Sequence, residues 1–253
     1  PANVILNQFA EFANHLVHRH VTSAAIEAVW RDEMLRHRDL RLAAFVSATG
    51  SGGTIAAGDA LRERHGSLTV AVEALECPTL LYNGYGAHNI QGIGDKHVPL
   101  IHDVMSTDVV TAVSDKATDQ LLVLFGSPAG RRYLVDRRRL PVALVESMAG
   151  LGPSGLANVV AAIKLAKHRD LGPDEAIFTV ATDSAALYSS ERSRVRTRDF
   201  GRGFDAVDAA EVYGRHLLGT ATDHLRELDS VERNRLFNLG YFTWVEQQGI
   251  SLQ

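Results

Sequence analysis

The chain has 253 residues, of which 45% are hydrophobic and 22% charged. This balance suits one large or two small globular domains and excludes a disordered or fibrous chain. The formal net charge of −4 gives no general attraction to nucleic acid or anionic membranes, and no apolar run is long enough to span a bilayer, so we expect neither partner. A single cysteine, Cys77, excludes an internal disulfide framework, and no signal-like leader is present, so we expect a cytoplasmic protein.

The pattern of apolar residues predicts an α/β fold in which strands and helices alternate. Residues 12–29 are expected to be mostly helical. The predicted strands cover residues 42–47, 68–73, 109–113 and 176–181, all of them apolar enough to be buried. The later predicted helices cover residues 55–65, 118–125, 131–136 and 154–168, and three more begin near Asp205, Thr220 and Ser230. This alternation predicts a doubly wound, mostly parallel sheet with helices on both faces.

The carboxyl-terminal part of the chain differs from the rest in its pattern. A polar, arginine-rich passage at residues 191–202 precedes a region without predicted strands. We therefore expect residues 1–190 to form a larger α/β domain and residues 191–253 to form a helical extension that packs on it. Tyr241, Phe242, Trp244 and Val245 are spaced as an apolar helical stripe, which predicts packing on the core or on a dimer partner.

A glycine-rich turn, Ser-Ala-Thr-Gly-Ser-Gly-Gly-Thr at residues 47–54, joins the first predicted strand to a helix. Glycines let the backbone approach an anion closely, and the N–H groups at the start of a helix favour phosphate. Two alternatives stay open, a turn that merely reverses the chain and a dinucleotide site. The dinucleotide site is disfavoured because Ala56 stands where its third glycine would be.

Five short passages follow one another in order along the chain. They are Asn7-Gln8-Phe9, Gly50–Thr54, Gly86-Ala87-His88-Asn89-Ile90-Gln91-Gly92-Ile93-Gly94, Gly152-Pro153-Ser154-Gly155 and residues 237–249. Together they resemble the fold type II pyridoxal-phosphate enzymes, specifically the cysteine synthase and cystathionine β-synthase group. The third passage is the most specific, since it is very similar to the family's Gly-Pro-His-Lys-Ile-Gln-Gly-Ile-Gly segment. The resemblance implies a tryptophan synthase β-like fold over nearly the whole chain.

The resemblance also implies a function and a set of site residues. It implies a homodimeric lyase or transferase that uses pyridoxal 5′-phosphate for β-elimination or β-replacement on a serine-like amino acid. The implied residues for binding the cofactor are Gly50, Ser51, Gly52, Gly53 and Thr54 for its phosphate and Ser154 for its pyridine nitrogen. The implied residues for binding the substrate are Gln8, Gly92, Ile93 and Gly94. The neutral hydroxyl of Ser154 would make the cofactor a weaker electron sink than a carboxylate would, which favours elimination over transamination.

The lysine that holds the cofactor in this family has no counterpart in the chain. The four lysines are Lys96, Lys116, Lys164 and Lys167, and none stands in a matching context. Lys164 and Lys167, three apart on a predicted helix, are expected to be solvated. Because that lysine precedes the Asn-Gln-Phe segment in the family, we expect the chain to be a carboxyl-terminal portion of the enzyme, with the amino-terminal portion removed or on a separate chain. No catalytic residue is assigned.

Several alternatives follow from these features. A dehydratase acting on serine or threonine, or β-replacement with an amine nucleophile, would use the same fold. A non-catalytic module that retains the phosphate loop without the lysine is a rival from another class. Ser154 is also at a position where a helix N-cap is common. His15, His18 and His20 do not converge as an i, i+4 pair would, so we expect no metal site.

Overall fold

The computed structural model describes residues 6–251. A long amino-terminal helical segment begins with α1 (Phe12–Val17), continues as a π-helical turn (His18–Thr22) and ends with α2 (Ser23–Arg36). The strands are β1 (Arg41–Ala48), β2 (Leu68–Ala74), β3 (Val109–Val113), β4 (Glu175–Thr179) and β5 (Leu225–Glu227). The other helices are α3 (Ala56–His65), α4 (Thr79–Tyr82), α5 (Asp115–Gly126), α6 (Pro128–Asp136), α7 (Val142–Ala149), α8 (Pro153–Arg169), α9 (Ser189–Asp199), α10 (Ala206–Tyr213) and α11 (Ser230–Tyr241).

The five strands form one sheet in the order β4-β1-β2-β3-β5. The first four strands are parallel, and β5 pairs antiparallel with β3. From β1 the chain winds outward to β2 and β3, and it then returns through α8 to place β4 on the other side of β1. This confirms the predicted doubly wound, mostly parallel sheet, and it puts the topological switch point between β1 and β4.

The central strands are buried on both faces, as parallel strands covered by helices are expected to be. Ala44, Val46, Val70 and Val72 pack with α5 and α8 in the largest hydrophobic cluster. On the opposite face, Phe45 joins Trp30 of α2 and Leu61 of α3 in a second cluster. None of the helices among residues 6–251 is long and apolar enough to cross a bilayer.

Most predicted elements lie within a few residues of those observed, and the third strand coincides with β3. Three predictions were wrong. The helix expected to begin near Thr220 is a loop followed by β5, because His224 adopts a left-handed φ of 49° and residues 225–227 pair with β3. The arginine-rich passage is helix α9, which packs on α5. The last predicted strand, β4, is half-exposed because it lies at the edge of the sheet.

The carboxyl-terminal region contributes to the sheet as well as to the helical layers. Helix α10 begins at Asp205 with a capping box to Asp208, as its position predicted, and α11 begins at Ser230. After α11, the buried Trp244 donates through Nε1 to the Val98 carbonyl at 2.7 Å. Because β5 also lies in this region, the division at residue 190 stays a prediction.

Candidate functional site

The candidate site is the crevice at the carboxyl ends of β1 and β4. The glycine-rich turn follows β1, and residues 180–183 follow β4. Helix α8 connects back to β4 and begins at the same edge of the sheet, which brings Ser154 to it. In open α/β sheets, ligands bind outside the carboxyl ends of the strands at the topological switch point. The fold therefore brings the predicted turn and Ser154 to the same functional edge.

Residues 50–54 form a turn rich in unused backbone donors, here called the amide cradle. None of its five N–H groups donates to another group among residues 6–251. Helix α3 begins immediately afterwards, so its positive end adds to the attraction for an anion. Partly buried amides without a protein partner fit a bound phosphate group.

The glycines of the cradle are required by close packing rather than by the turn alone. A Cβ on Gly50 would lie 2.9 Å from the carbonyl oxygen of Gly92. Gly52 has a φ of +82°, and its Cβ would lie 3.0 Å from the Cβ of His102. A side chain at either position would force the cradle away from the elements behind it. The alternative of glycines needed only to reverse the chain is thereby disfavoured.

Asn14 of α1 ties the cradle to the Asn-Gln-Phe turn, and the sequence gave no indication of this. Its Nδ2 donates to Ser51 Oγ and to the carbonyl of Gln8, both at 3.0 Å. Since Ser51 Oγ accepts from Asn14, its own hydrogen stays available to a ligand. The Asn14 side chain also occupies the space that a Cβ on Gly53 would need. The Gln8 side chain itself is exposed.

The turn at residues 92–94 lies directly against the cradle. The Gly94 N–H donates to the Thr49 carbonyl at 2.9 Å, and Ile93 is buried. Gly92 and Gly94 have φ values of +85° and +76°, which favour glycine over other residues. A Cβ on Gly94 would also collide with the imidazole of His88. This turn therefore forms the wall of the crevice beside Gly50.

Ser154 lies in the first turn of α8 and is 3% exposed. The N-cap of α8 is Gly152, so the alternative that Ser154 caps the helix was wrong. Its Oγ is 2.6 Å from Thr182 Oγ1 and 3.3 Å from Asp183 Oδ1. Tyr188 donates to the other oxygen of Asp183, and burial together with this bond raises the Tyr188 pKa to about 12. We call these four residues the Ser154 cluster.

A titratable pair lies behind the cradle, in the first turns of α3 and α1. Asp59 is 5% exposed, and its Oδ2 is 3.9 Å from His15 Nε2. Burial, with a smaller contribution from the Asp103 carboxylate, raises the Asp59 pKa to about 7. His15 Nδ1 bonds to the Ile101 carbonyl at 3.0 Å, and His18 bonds to Thr22. A charged Asp59 would oppose an anion at the start of the same helix.

The structure corrects the expectation for one lysine. Lys164 is buried, with Nζ donating to the carbonyls of Ala112 at 2.9 Å and Asp223 at 2.6 Å. Burial lowers its pKa, although the neighbouring Asp223 carboxylate opposes this effect. Lys167 Nζ also donates to backbone carbonyls, those of Leu218 and Thr220. These contacts join α8 to the loop before β5.

Comparison with known proteins gives consistent relatives. No family model matches the chain. The chain is 32% identical over 192 residues to cysteine synthase B of Campylobacter jejuni and 31% identical over 196 residues to a probable cysteine synthase of Bacillus subtilis. Each alignment covers 75% of this chain and 54% of the relative, so the chain spans about half the length of these curated relatives.

Solved structures agree with the relatives in sequence. A hydrogen sulfide-producing enzyme of Fusobacterium nucleatum is 26% identical, with a TM-score of 0.55 over 74% of this chain and 49% of that one. An O-acetyl serine sulfhydrylase of Entamoeba histolytica, 22% identical with a TM-score of 0.56 over 81% of this chain and 53% of that one, shares the fold. The chain belongs to the cysteine synthase and cystathionine β-synthase group of fold type II pyridoxal-phosphate enzymes.

Proposed function

We propose that this chain forms the carboxyl-terminal, cofactor-phosphate-binding part of a pyridoxal-phosphate enzyme that performs β-elimination or β-replacement on a serine-like amino acid. The observation that carries the proposal is the amide cradle, whose five N–H groups have no partner among residues 6–251 and lie at the switch point of the sheet. Its relatives in sequence are cysteine synthases, which supports this reaction class.

The phosphate would be held by the backbone N–H groups of Gly50–Thr54, with the hydroxyls of Ser51 and Thr54 as further donors. Hydrogen bonds to a charged group each contribute about 1.5–3 kcal/mol, and the start of α3 adds about 0.5–2 kcal/mol. Asn14 keeps Ser51 in position by donating to its Oγ. The cradle would thus orient its ligand through groups that need no rearrangement on binding.

Ser154 would donate its hydroxyl hydrogen to the pyridine nitrogen. Pyridoxal phosphate, when bound, supplies an electron sink for the carbon atoms of an amino acid. A hydroxyl at the ring nitrogen keeps that sink weaker than a carboxylate would, which suits elimination. Thr182 and Asp183 hold the Ser154 Oγ at the mouth of the crevice, and Tyr188 in turn orients Asp183.

The substrate would lie between the Asn-Gln-Phe turn and residues 92–94. Gln8 is exposed, so its amide is free to bind the substrate carboxylate, and Asn14 links its backbone to the cradle. Gly92, Ile93 and Gly94 would form the wall against which the amino acid packs. The left-handed conformations of the two glycines keep this wall free of side chains on the crevice side.

We further propose a cytoplasmic homodimer. The single buried Cys77 is compatible with a reducing compartment. Several large apolar side chains are exposed near the carboxyl terminus and on α1, among them Phe12, Phe237 and Phe242. Exposed apolar patches mark association surfaces. Sedimentation of the protein as isolated from its cells tests this assembly.

The second candidate is a non-catalytic module that binds the cofactor or another phosphate compound. It is favoured by one observation, the absence of a lysine in a family-matching context. Lys164 and Lys167 are held by backbone carbonyls away from the cradle. Dehydration of serine or threonine, and replacement by an amine nucleophile, remain alternatives within the enzyme class.

Intact mass measurement after borohydride reduction separates the two candidates. The protein, isolated from its own cells, is incubated with pyridoxal phosphate, reduced and then denatured. An enzyme predicts a longer chain or a second polypeptide, with the cofactor mass fixed to a lysine in that additional portion. A mass of 27.5 kDa with no label on any polypeptide would contradict the catalytic proposal and favour the binding module.

A further inference from the structure

The sheet has two edges that are protected to very different degrees. Strand β5 is three residues long and antiparallel, and charged side chains cover it. Glu227 pairs with His168 at 2.8 Å and with Arg169 at 3.0 Å, and Arg226 pairs with Glu232 at 2.9 Å. Short, charged edge strands resist pairing with another chain. Strand β5 is therefore a closed edge.

Strand β4 has none of these protections. Its residues are Glu-Ala-Ile-Phe-Thr, without proline or lysine, and its one charge is tied to Arg41 of β1. Both of its faces are covered, because Phe178 packs edge-on against Trp30 at 6.0 Å and Ile177 packs on the cluster formed with α5 and α8. Only its outer edge lacks a partner strand among residues 6–251, and every residue of β4 is half-exposed.

The open edge leads directly to the candidate site. Asn158 donates to the Val180 carbonyl at 3.2 Å and thereby fixes the chain just after β4. The next residues are Thr182 and Asp183, which contact Ser154. A strand added in parallel to β4 would also end at this crevice, because the carboxyl ends of parallel strands share one edge of the sheet.

The geometry points to the outer edge of β4 as the docking edge for an extended segment of the amino-terminal portion of the fold, which pairs with β4 and leads its chain to the crevice. This inference rests on the proposed function. The occupant follows from length, since the matched relatives are almost twice as long as the region that this chain covers. It also follows from the site, which holds donors for phosphate but no lysine.

Hydrogen exchange tests the inference. The probe is the amino-terminal part of Campylobacter jejuni cysteine synthase B that precedes the region matched by this chain. Added to the chain, it should slow exchange at the outward-facing amides of β4 by at least tenfold, while those of β5 stay unchanged. Edge pairing adds hydrogen bonds only on the outer side, so alternate residues of β4 should respond.

Three outcomes would overturn the inference. They are the absence of slowed exchange at β4, slowed exchange confined to other regions, and protection of β4 without the probe because two copies of this chain pair. Binding of pyridoxal phosphate to the chain alone is measured in parallel. If it binds while β4 stays unprotected, the docking edge is wrong and the proposed function stands. If it does not bind, the proposed function fails whatever β4 shows.

A pair of lysine variants provides a second, independent test. Thr179→Lys places a charge on the open edge, and Leu225→Lys places the same side chain on the closed edge. Lysine on an edge strand opposes pairing. Thr179→Lys should weaken binding of the probe by at least tenfold, and Leu225→Lys by less than twofold, with circular dichroism confirming that both fold. Equal effects of the two variants would overturn the inference.

Discussion

On one side of the crevice the free polar groups are the backbone amides of residues 50–54, whereas on the other they belong to side chains around Ser154. The amide cradle depends on glycines at positions where a Cβ would collide with neighbouring atoms. The Ser154 cluster depends on a chain of hydrogen bonds that reaches Tyr188. Backbone sites tolerate almost no added atoms, while side-chain networks lose one bond at a time. The two sides should therefore respond differently to substitution.

The largest effect is expected for Gly52→Ala. Its positive φ and the 3.0 Å approach of His102 make alanine strained and displace the cradle. We expect affinity for pyridoxal phosphate to fall by about 30-fold or more, as when more than one charged hydrogen bond is lost. Calorimetric titration measures it.

Gly66→Ala is the matched control for this prediction. Gly66 has a similar φ of +68° but no atom within 4 Å of a Cβ, and it lies at the far end of α3. It should cost about 1 kcal/mol of stability without changing affinity. Equal losses of affinity in the two variants would mean that strain, not the cradle, is responsible.

A second prediction concerns Asn14, which supports the cradle through Ser51. Asn14→Ala should lower affinity for pyridoxal phosphate by about tenfold, because Ser51 and the Gln8 turn lose a common donor. The variants Asn14→Ala, Ser51→Ala and the double change form a thermodynamic cycle. The double variant should lose less than the sum of the single losses. Strict additivity would show that Asn14 does not act through Ser51.

A smaller effect is expected on the other side of the crevice. Ser154→Ala removes one neutral hydrogen bond, so affinity for pyridoxal phosphate should fall by about fivefold. Affinity for inorganic phosphate, measured by competition, should not change, since phosphate meets only the cradle. If both ligands were weakened equally, Ser154 would be acting on the fold of the crevice rather than on the ring.

The smallest effect is a pH dependence from Asp59. Its pKa rises from 3.8 in the unfolded chain to about 7, so the folded state binds more protons between those values. The contribution of this group to stability is therefore present below about pH 4 and is lost as pH rises through 7. Glu73, whose pKa burial also raises to about 7, contributes in the same direction.

Asp59→Asn should flatten this decline in chemical unfolding between pH 5 and 8. It should also raise phosphate affinity about twofold to threefold at pH 8, since no charge then forms in the first turn of α3. Glu63→Gln, exposed on the same helix, serves as the control. An unchanged pH slope in Asp59→Asn would contradict the assignment.

The two sides also differ in how far the sequence predicts them. The cradle was predicted because glycine at 50, 52 and 53 is a local signal next to a strand and a helix. Asn14 and the Thr182–Asp183 pair were not, because their contacts join residues 37 and 28–29 positions apart. Burial of Lys164 was missed since its partners come from β3 and from the loop before β5. Apolar content predicted β4 as a strand but not its place at the edge.

The central claim is that the amide cradle holds the phosphate of pyridoxal phosphate. The most direct measurement compares pyridoxal 5′-phosphate with pyridoxal, which lacks only the phosphate, in binding to this chain. The account predicts that the phosphate form binds at least tenfold more tightly and that inorganic phosphate competes with it. Equal binding of the two compounds, without competition by phosphate, would contradict it.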